Sequence, residues 1–176
     1  VGKGTIISHL LDMHAYLSLA VSATTRAPRD TEIEGTDYYF LSQDAFKTHI
    51  SNNAFLEYCD VHQNFYGTLA LEVTKKLGLS KAVIIEIDVQ GAQKIKQHTQ
   101  FKQHHIFIAP PSLDVLAQRL QKRDTETSEI MGRRLAHATK EINQQHLFDS
   151  VIINDTLTQT VTMVDNIILN LTKESV

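Results

Sequence analysis

"VGKGTIISHLLDMH" occupies residues 1–14 and joins a glycine–lysine turn directly to a helical pattern of apolar residues. Glycine and lysine at this spacing are typical of the second half of a phosphate-binding loop. Backbone N–H groups at a helix N-terminus suit a phosphate, because they are unpaired and the helix dipole favours an anion. Such a loop follows a buried strand and an earlier glycine, so we expect a further strand and turn upstream of Val1.

Short apolar runs rich in β-branched residues alternate with helical patterns along the rest of the chain. Runs of this kind are typical of strands buried on both faces, and their alternation with helices predicts parallel βαβ units. Ser112 is predicted to cap the helix that follows two prolines. The four predicted strands lie within residues 17–22, 82–88, 105–110 and 150–155.

Residues 36–66 have a different pattern. Stretches that are rich in aromatic residues and alternate between apolar and polar positions lie on either side of a short predicted helix at residues 43–51. We interpret them as a small, partly antiparallel lobe inserted between the second and third core strands. Because an α/β sheet binds its ligands at the carboxyl ends of its strands, an insertion at that edge can face a bound nucleotide.

Composition narrows the class of protein. The chain has 176 residues, enough for one α/β domain with a small lobe, and a net charge of −3, which disfavours a groove-binding nucleic-acid protein. Its one cysteine, Cys59, excludes an intramolecular disulfide and a CxxC metal site, and fits the cytoplasm. No apolar run approaches the length of a membrane span.

Two arginines follow the first apolar run. Arg26 and Arg29 lie three residues apart, and Tyr38 follows on the next predicted strand. Two guanidinium groups and a phenol hydroxyl that converge would bind a phosphate dianion. The alternative is a solvated loop with two surface arginines.

Glu57 stands within an apolar, alternating strand, and the spacing places it on the same face as Phe55 and Cys59. A buried acid requires a partner. Guanine could be that partner, because its N1–H and N2 amine are adjacent donors that one carboxylate can accept. Adenine has no such pair of donors. Residues 66–68 are expected to form a turn that carries two hydroxyls. The alternative is an acid at a strand edge, in water or paired with a lysine.

The predicted strand at residues 82–88 ends in Glu86 and Asp88. It resembles a Walker B strand, whose acid holds Mg²⁺ directly or through water. The alternative is an acid that caps a loop.

Four arginines flank a polar hinge at residues 119–135, which is typical of a mobile lid over ATP phosphates. A solvated, basic helix end is the alternative. The four are Arg119, Arg123, Arg133 and Arg134.

Taken in order, these motifs resemble those of the guanylate kinase family, of bacterial type, over essentially the whole chain. The stretches "SATTRAPR" (22–29) and "IFIAPPS" (106–112) are the most specific of them. The resemblance implies an α/β P-loop kinase with a parallel β-sheet flanked by helices, an inserted α+β lobe and a helical lid. It divides the chain into a core (1–34, 68–118 and 136–176), a GMP-binding lobe (35–67) and a lid (119–135).

The resemblance also implies a cytoplasmic enzyme of purine nucleotide metabolism. It would transfer the γ-phosphoryl group of ATP to GMP, and to dGMP, with Mg²⁺, and would bind neither nucleic acid nor membrane. By motif, the guanine is addressed by Ser22, Glu57 and Thr68, with Asp88 facing the guanine or the metal. The GMP phosphate is held by Arg26, Arg29, Tyr38 and Tyr66, with Glu32 beside them. The transferring phosphoryl group is surrounded by Lys3, Arg119, Arg123 and Arg134. ATP is bound by Gly2, Lys3, Gly4, Thr5, Arg119, Arg123 and Asn154, the last at the adenine.

The chain departs from the family pattern at a few positions. Gly4 stands where a Ser or Thr often binds the metal, and Thr31 replaces the glycine before Glu32. Lys122 and Asp124 stand where the lid often has glycines.

The chemistry of the acceptor needs no general base. The second pKa of a phosphate monoester is near 6, so the phosphate of GMP is mostly a dianion at pH 7.

Two other functions share part of this pattern. A guanylate-kinase-like scaffold domain binds phosphorylated partners without turnover, but Gly2, Lys3 and the lid arginines favour an enzyme. A related small kinase could use a different acceptor, but Glu57 with Thr68 favours guanine.

Overall fold

The computed structural model describes residues 2–61, 63–121 and 128–173, without the side chains of residues 128–131, 133 and 134. Its contacts divide the chain into two compact units, one formed by Val1–Leu10 with Gln103–Val176 and the other by Leu11–Lys102. In chain order the elements are α1 (Lys3–Met13), β1 (Leu17–Leu19), β2 (Ala23–Thr24), β3 (Tyr39–Phe40), α2 (Gln43–Ser51), β4 (Phe55–Val61), β5 (Asn64–Leu69), α3 (Ala70–Leu77), β6 (Ala82–Ile84), α4 (Val89–Ile95), β7 (Ile106–Ala109), α5 (Leu113–Gln121), α6 (Ser128–Ile142), a 3₁₀ turn (Gln145–Leu147), β8 (Ser150–Ile153) and α7 (Leu157–Lys173).

The unit Leu11–Lys102 contains a parallel strand pair and a mixed sheet. β1 pairs in parallel with β6, and a cluster of apolar residues that includes Leu56 and Val73 forms the core beside them. The second sheet has the strand order β3-β2-β5-β4, in which only β2 and β3 are parallel. The partly antiparallel character expected for this region is confirmed.

The other unit contains the parallel pair β7–β8. Ser112 caps α5 as predicted, since its hydroxyl oxygen accepts a hydrogen bond from the N–H of Val115 at 3.2 Å. The expectation that β8 is buried on both faces is wrong. Ile152 is buried and α7 packs against β8, whereas Val151 and Ile153 on the opposite face are exposed. Successive side chains of a strand point to opposite faces, so a helix that packs on one face buries only every second residue.

All four predicted strands are shorter than their apolar runs, and the run at residues 105–110 forms a strand only over Ile106–Ala109. The run at residues 17–22 is divided between β1 and the approach to β2, and the run at 82–88 ends as a strand at Ile84. The run at 150–155 ends as a strand at Ile153. None of the helices in the described residues combines the length and apolar character that a membrane span requires.

Candidate active site

A buried glutamate lies near the start of β4. Glu57 stands opposite Thr68 of β5, and only 5% of its surface is exposed. The Thr68 hydroxyl donates a hydrogen bond to Glu57 Oε1, with 2.7 Å between the two oxygens. Thr68 is itself fully buried. The structure therefore brings together the two residues whose types favour guanine.

A β-bulge separates Phe55 from Glu57 and places them on opposite faces of β4. The register shifts between Phe55 and Glu57, so Leu56 is an extra residue in β4. Leu56 and Glu57 both approach α4, where Leu56 joins the apolar cluster and Glu57 reaches Gly91. Phe55 instead stacks on Phe46 of α2. The prediction that Phe55 shares a face with Glu57 is wrong, because it assumed regular alternation.

The N-terminus of α4 lies against the Glu57 carboxylate. Asp88 is the N-cap, and its Oδ1 accepts a hydrogen bond from the N–H of Gly91 at 2.7 Å. β6 ends four residues earlier, so the prediction of a strand that runs to Asp88 is wrong. Capping, the alternative considered for this acid, is what the structure shows. The side chain of Asp88 is accordingly held by the backbone of its own helix.

The electrostatics of this cluster follow from burial. Burial raises the pKa of Glu57 above the ordinary glutamate value, the Thr68 hydrogen bond lowers it, and the negative charge of Asp88 raises it. Burial also raises the pKa of Cys59 to about 12, with Asp88 and Glu57 adding to the rise. A ligand that donates hydrogen bonds to Glu57 would favour the ionised carboxylate.

A second cluster contains the predicted phosphate-binding residues. Arg26 Nη2 lies 2.8 Å from Glu32 Oε1, and the guanidinium carbon lies 5.5 Å from the centre of the Tyr38 ring. The Tyr38 and Tyr66 rings meet edge to face, with their centres 6.1 Å apart. The hydrogen bond to Glu32 raises the pKa of Arg26, while partial burial lowers it. We call Arg26, Glu32, Tyr38 and Tyr66 the Arg26 cluster.

Arg29 lies at the edge of the Arg26 cluster. Its backbone N–H donates to Glu32 Oε2 at 2.8 Å, and its Nη1 lies 3.8 Å from Glu32 Oε1. The Arg29 side chain is 76% exposed. The hydrogen bond from Arg26, followed by that from Arg29, lowers the pKa of Glu32. One ionised carboxylate therefore binds both arginines.

Two threonines that received no role from the sequence hold Arg26 in place. The Thr24 hydroxyl donates to the carbonyl of Phe65 at 3.0 Å and accepts from the N–H of Arg26 at 3.2 Å. Thr25 Oγ1 accepts from the N–H of Phe65 at 2.9 Å. Both lie inside the "SATTRAPR" stretch, but Phe65, which both contact, is about 40 residues away, and local spacing does not indicate it.

Residues 66–68 lie within β5, so the prediction that they form a turn is wrong. Val61 pairs with Asn64, and the chain reverses between these two residues. Tyr66 pairs with Cys59 and Thr68 with Glu57. Strand pairing therefore fixes the backbone that carries the two hydroxyl groups.

A pocket of about 220 Å³ lies within the unit Val1–Leu10 with Gln103–Val176, lined by Gly2, Thr5, Arg119, Asn154, Asp155 and Leu157. Arg119 Nη1 and Nη2 donate to the carbonyls of Asn154 and Asp155, at 2.7 and 2.9 Å. These bonds attach α5 to the segment that follows β8. The assignment of Arg119 to the transferring phosphoryl group stays a prediction.

The amide of Asn154 lies beside the buried hydroxyl of Thr160. Thr160 Oγ1 donates to the carbonyl of Thr156 at 2.8 Å and lies 3.1 Å from Asn154 Oδ1. Nδ2 lies 3.0 Å from the position that a Cβ on Gly2 would take. Gly2 has a φ of +89°, a conformation that favours glycine. Both space and backbone conformation therefore require a glycine at this position.

Lys3 is the first residue of α1, and Gly4 and Thr5 follow in its first turn. This agrees with the predicted helix after a phosphate loop. Of the other predicted lid residues, Arg123 lies outside the described residues, and the side chain of Arg134 is outside the described part of α6.

A family model for guanylate kinase matches residues 1–171. The chain belongs to the guanylate kinase family. The guanylate kinase of Clostridium acetobutylicum is 44% identical over 168 residues, which cover 96% of this chain and 79% of that protein. The guanylate kinase of Neisseria meningitidis serogroup A is 47% identical over 156 residues, which cover 89% and 76%.

The crystal structure of guanylate kinase from Anaplasma phagocytophilum matches with a TM-score of 0.78 at 32% identity, covering 96% of this chain and 81% of that one. The guanylate kinase likeness confirms the predicted α/β P-loop kinase fold. The relatives bear an enzyme's name, so the non-catalytic scaffold alternative is not favoured.

Proposed function

We propose that this protein transfers the γ-phosphoryl group of ATP to GMP, giving ADP and GDP. The family match and the curated relatives support guanylate kinase function. The observation that carries the choice of base is the buried Glu57, whose Oε1 accepts from Thr68. The N1–H and N2 amine of guanine can both donate to this carboxylate. Because dGMP has the same base, it is also an acceptor.

The Arg26 cluster would hold the phosphate of GMP. Arg26 lies near the Tyr38 ring, which meets the Tyr66 ring, and the hydroxyls of both tyrosines would join Arg26 at the phosphate. The exposed Arg29 would approach the phosphate from the solvent side. Glu32 would orient the two arginines. Ser22, which connects β1 to β2, would contact the guanine with Thr68, and Asp88 would lie close by. The phosphate needs no general base because it is already a dianion, and these residues act by binding and orientation.

ATP would bind through the start of α1 and the Asn154 pocket. Gly2, Lys3, Gly4 and Thr5 would bind its phosphates through the helix N-terminus and the lysine side chain. The pocket is lined by Asn154, proposed for the adenine, and by Gly2, Thr5 and Arg119, proposed for the phosphates. Arg119, Arg123 and Arg134 would surround the transferring group, and the lid 119–135 would exclude water.

Mg²⁺ would enter with ATP. The described residues contain no group of three or more His, Cys, Asp or Glu that could hold a metal. A magnesium ion coordinated mainly by substrate phosphates needs only one or two protein oxygens, so this chain fits it, with Asp88 as a ligand through water. The bound ion would neutralise phosphate charge. The proposal also includes the division of the chain into a core, a GMP-binding lobe and a lid. It places the protein in the cytoplasm.

A coupled ADP-release assay with GMP, dGMP, AMP, CMP and UMP tests this function. We expect turnover with GMP and dGMP, and its loss on chelation of Mg²⁺. Glu57→Ala should lower kcat/KM for GMP by a factor that corresponds to a loss of about 2–5 kcal/mol in transition-state binding. The KM for ATP should be nearly unchanged. Glu141→Ala, which removes a glutamate from α6, is the matched control. Equal use of AMP and GMP by the wild type would contradict the choice of base.

A further inference from the structure

A second buried glutamate lies in the first turn of α3. Glu72 is only 8% exposed, and both of its oxygens accept hydrogen bonds from other elements. Oε1 accepts from the N–H of Val21 at 3.1 Å, and Oε2 accepts from the hydroxyl of Tyr39 at 3.0 Å. The half-buried Lys76 lies 3.4 Å from Oε1 and offsets the charge. Glu72 therefore joins α3 to β3 and to the segment between β1 and β2.

Both partners of Glu72 stand next to residues of the proposed GMP site. Val21 precedes Ser22, and the carbonyl of Ser22 accepts from the N–H of Tyr39 at 2.9 Å. Tyr39 follows Tyr38, and neighbouring side chains in a strand point to opposite faces. A bond that holds Tyr39 toward α3 therefore directs Tyr38 to the other face, where it contacts Arg26.

The Tyr39–Glu72 bond has a defined direction. Burial raises the pKa of Tyr39, and the bond to Glu72 raises it further, so the phenol keeps its proton and donates. The second acidic neighbour of Tyr39, Glu34, acts in the same direction. Glu34 itself accepts from the N–H of Phe40 at 2.9 Å.

We propose that Glu72 is a positioning residue for the acceptor nucleotide, a role that rests on the proposed function. Its two hydrogen bonds set the spacing between Ser22, at the guanine, and Tyr38, at the phosphate. An acceptor must contact both positions at once, and an error in their spacing weakens its binding. The proposed ATP site includes neither residue.

Steady-state kinetics of Glu72→Gln and Tyr39→Phe test this role. Glutamine has one side-chain oxygen and can serve only one of the two donors. We expect Glu72→Gln to raise the KM for GMP roughly five- to tenfold, with kcat and the KM for ATP within about twofold of wild type. Tyr39→Phe should raise the KM for GMP as well. In the double variant the increase should be smaller than the product of the two single increases, because the glutamine oxygen can then serve Val21 alone.

Lys76→Met is the control, since it removes the charge partner and leaves both hydrogen bonds of Glu72. Its KM for GMP should stay within about twofold of wild type. If Glu72→Gln does not fold, Tyr39→Phe decides the question, because it retains the glutamate. A wild type that turns over GMP while both variants keep its KM would overturn the role of Glu72 alone, and so would an equal rise in the KM for ATP. A wild type that does not phosphorylate GMP would overturn the proposed function and this role with it.

Discussion

The carboxylate of Glu57 occupies the space that a side chain on Gly91 would need. Oε2 of Glu57 lies 2.9 Å from the position of an ideal Cβ at residue 91, and the N–H of Gly91 donates to Asp88 Oδ1 at 2.7 Å. The backbone of Gly91 does not have a positive φ. Space, and not backbone conformation, therefore requires glycine at this position.

Gly91→Ala should displace the Glu57 carboxylate and weaken GMP binding. Alanine favours the helix, so the variant should fold, but its methyl group would compete with Glu57 Oε2, while Thr68 holds Oε1 of the same carboxylate. We expect the KM for GMP to rise roughly tenfold and the KM for ATP to stay unchanged. Gly132→Ala is the matched helical control, because its Cβ would meet nothing within 4 Å. An unchanged KM for GMP in Gly91→Ala would show that Glu57 does not contact the acceptor.

The raised pKa of Glu57 predicts a pH-dependent stability cost. The unfolded chain loses this proton near the ordinary glutamate value of 4.5, and the folded protein loses it at higher pH. Stability contributed by the protonated group is therefore present below 4.5 and is lost as the pH rises through the folded pKa. Glu57→Gln stays neutral, so its melting temperature without ligand should match or exceed that of wild type at pH 7. In thermal melts between pH 4.5 and pH 7, the melting temperature of Glu57→Gln relative to wild type should fall as the pH approaches 4.5. A wild type that is more stable at every pH would contradict the raised pKa.

Cys59 should react slowly with alkylating agents at neutral pH. Its pKa of about 12 leaves almost no thiolate at pH 7.5, and the thiolate is the reactive form. Treatment with iodoacetamide followed by mass spectrometry should find the native protein largely unmodified and fully active. The same chain in urea should be alkylated quickly. Rapid modification of the native protein would indicate a thiol that is neither buried nor close to Asp88 and Glu57.

Arg119 should affect ATP binding through its two hydrogen bonds to the Asn154 segment rather than through its charge. Arg119→Lys retains the charge but cannot donate to two carbonyls in the same geometry. We expect Arg119→Lys and Arg119→Met to raise the KM for ATP by similar factors, roughly tenfold, without changing the KM for GMP. Lys140→Met, on α6, is the control for loss of a positive charge. Near-wild-type kinetics in Arg119→Lys would show that charge alone matters.

Local patterns predicted the elements and one cluster well. The helix at residues 43–51 has the predicted bounds, and Ser112 caps α5, because caps and helical periodicity depend on neighbours in the sequence. Arg26 and Tyr38 meet as expected: Arg26 follows β2, Tyr38 directly precedes β3, and these two short strands pair in parallel. These features need only the order of elements and the residue types at their ends.

Features that depend on contacts between distant parts of the chain could not be predicted. The Tyr39–Glu72 bond joins residues 33 positions apart, and the contact of Glu57 with Gly91 joins different elements. The residue types around Leu56 do not distinguish a bulge from a regularly alternating strand. A single extra residue changes which neighbours share a face, and strand patterns cannot reveal it without the partner strand.

The bulge at Leu56 has a consequence for how related chains can vary. Loss of this one residue would restore regular alternation and leave Glu57 opposite Thr68, so the cost would be one apolar side chain from the core. A change at position 57 would alter the polar contact and leave the core intact. Length variation and base preference can therefore evolve separately in this strand. In an alignment of homologues, a deletion at residue 56 should coexist with an unchanged acid beside it.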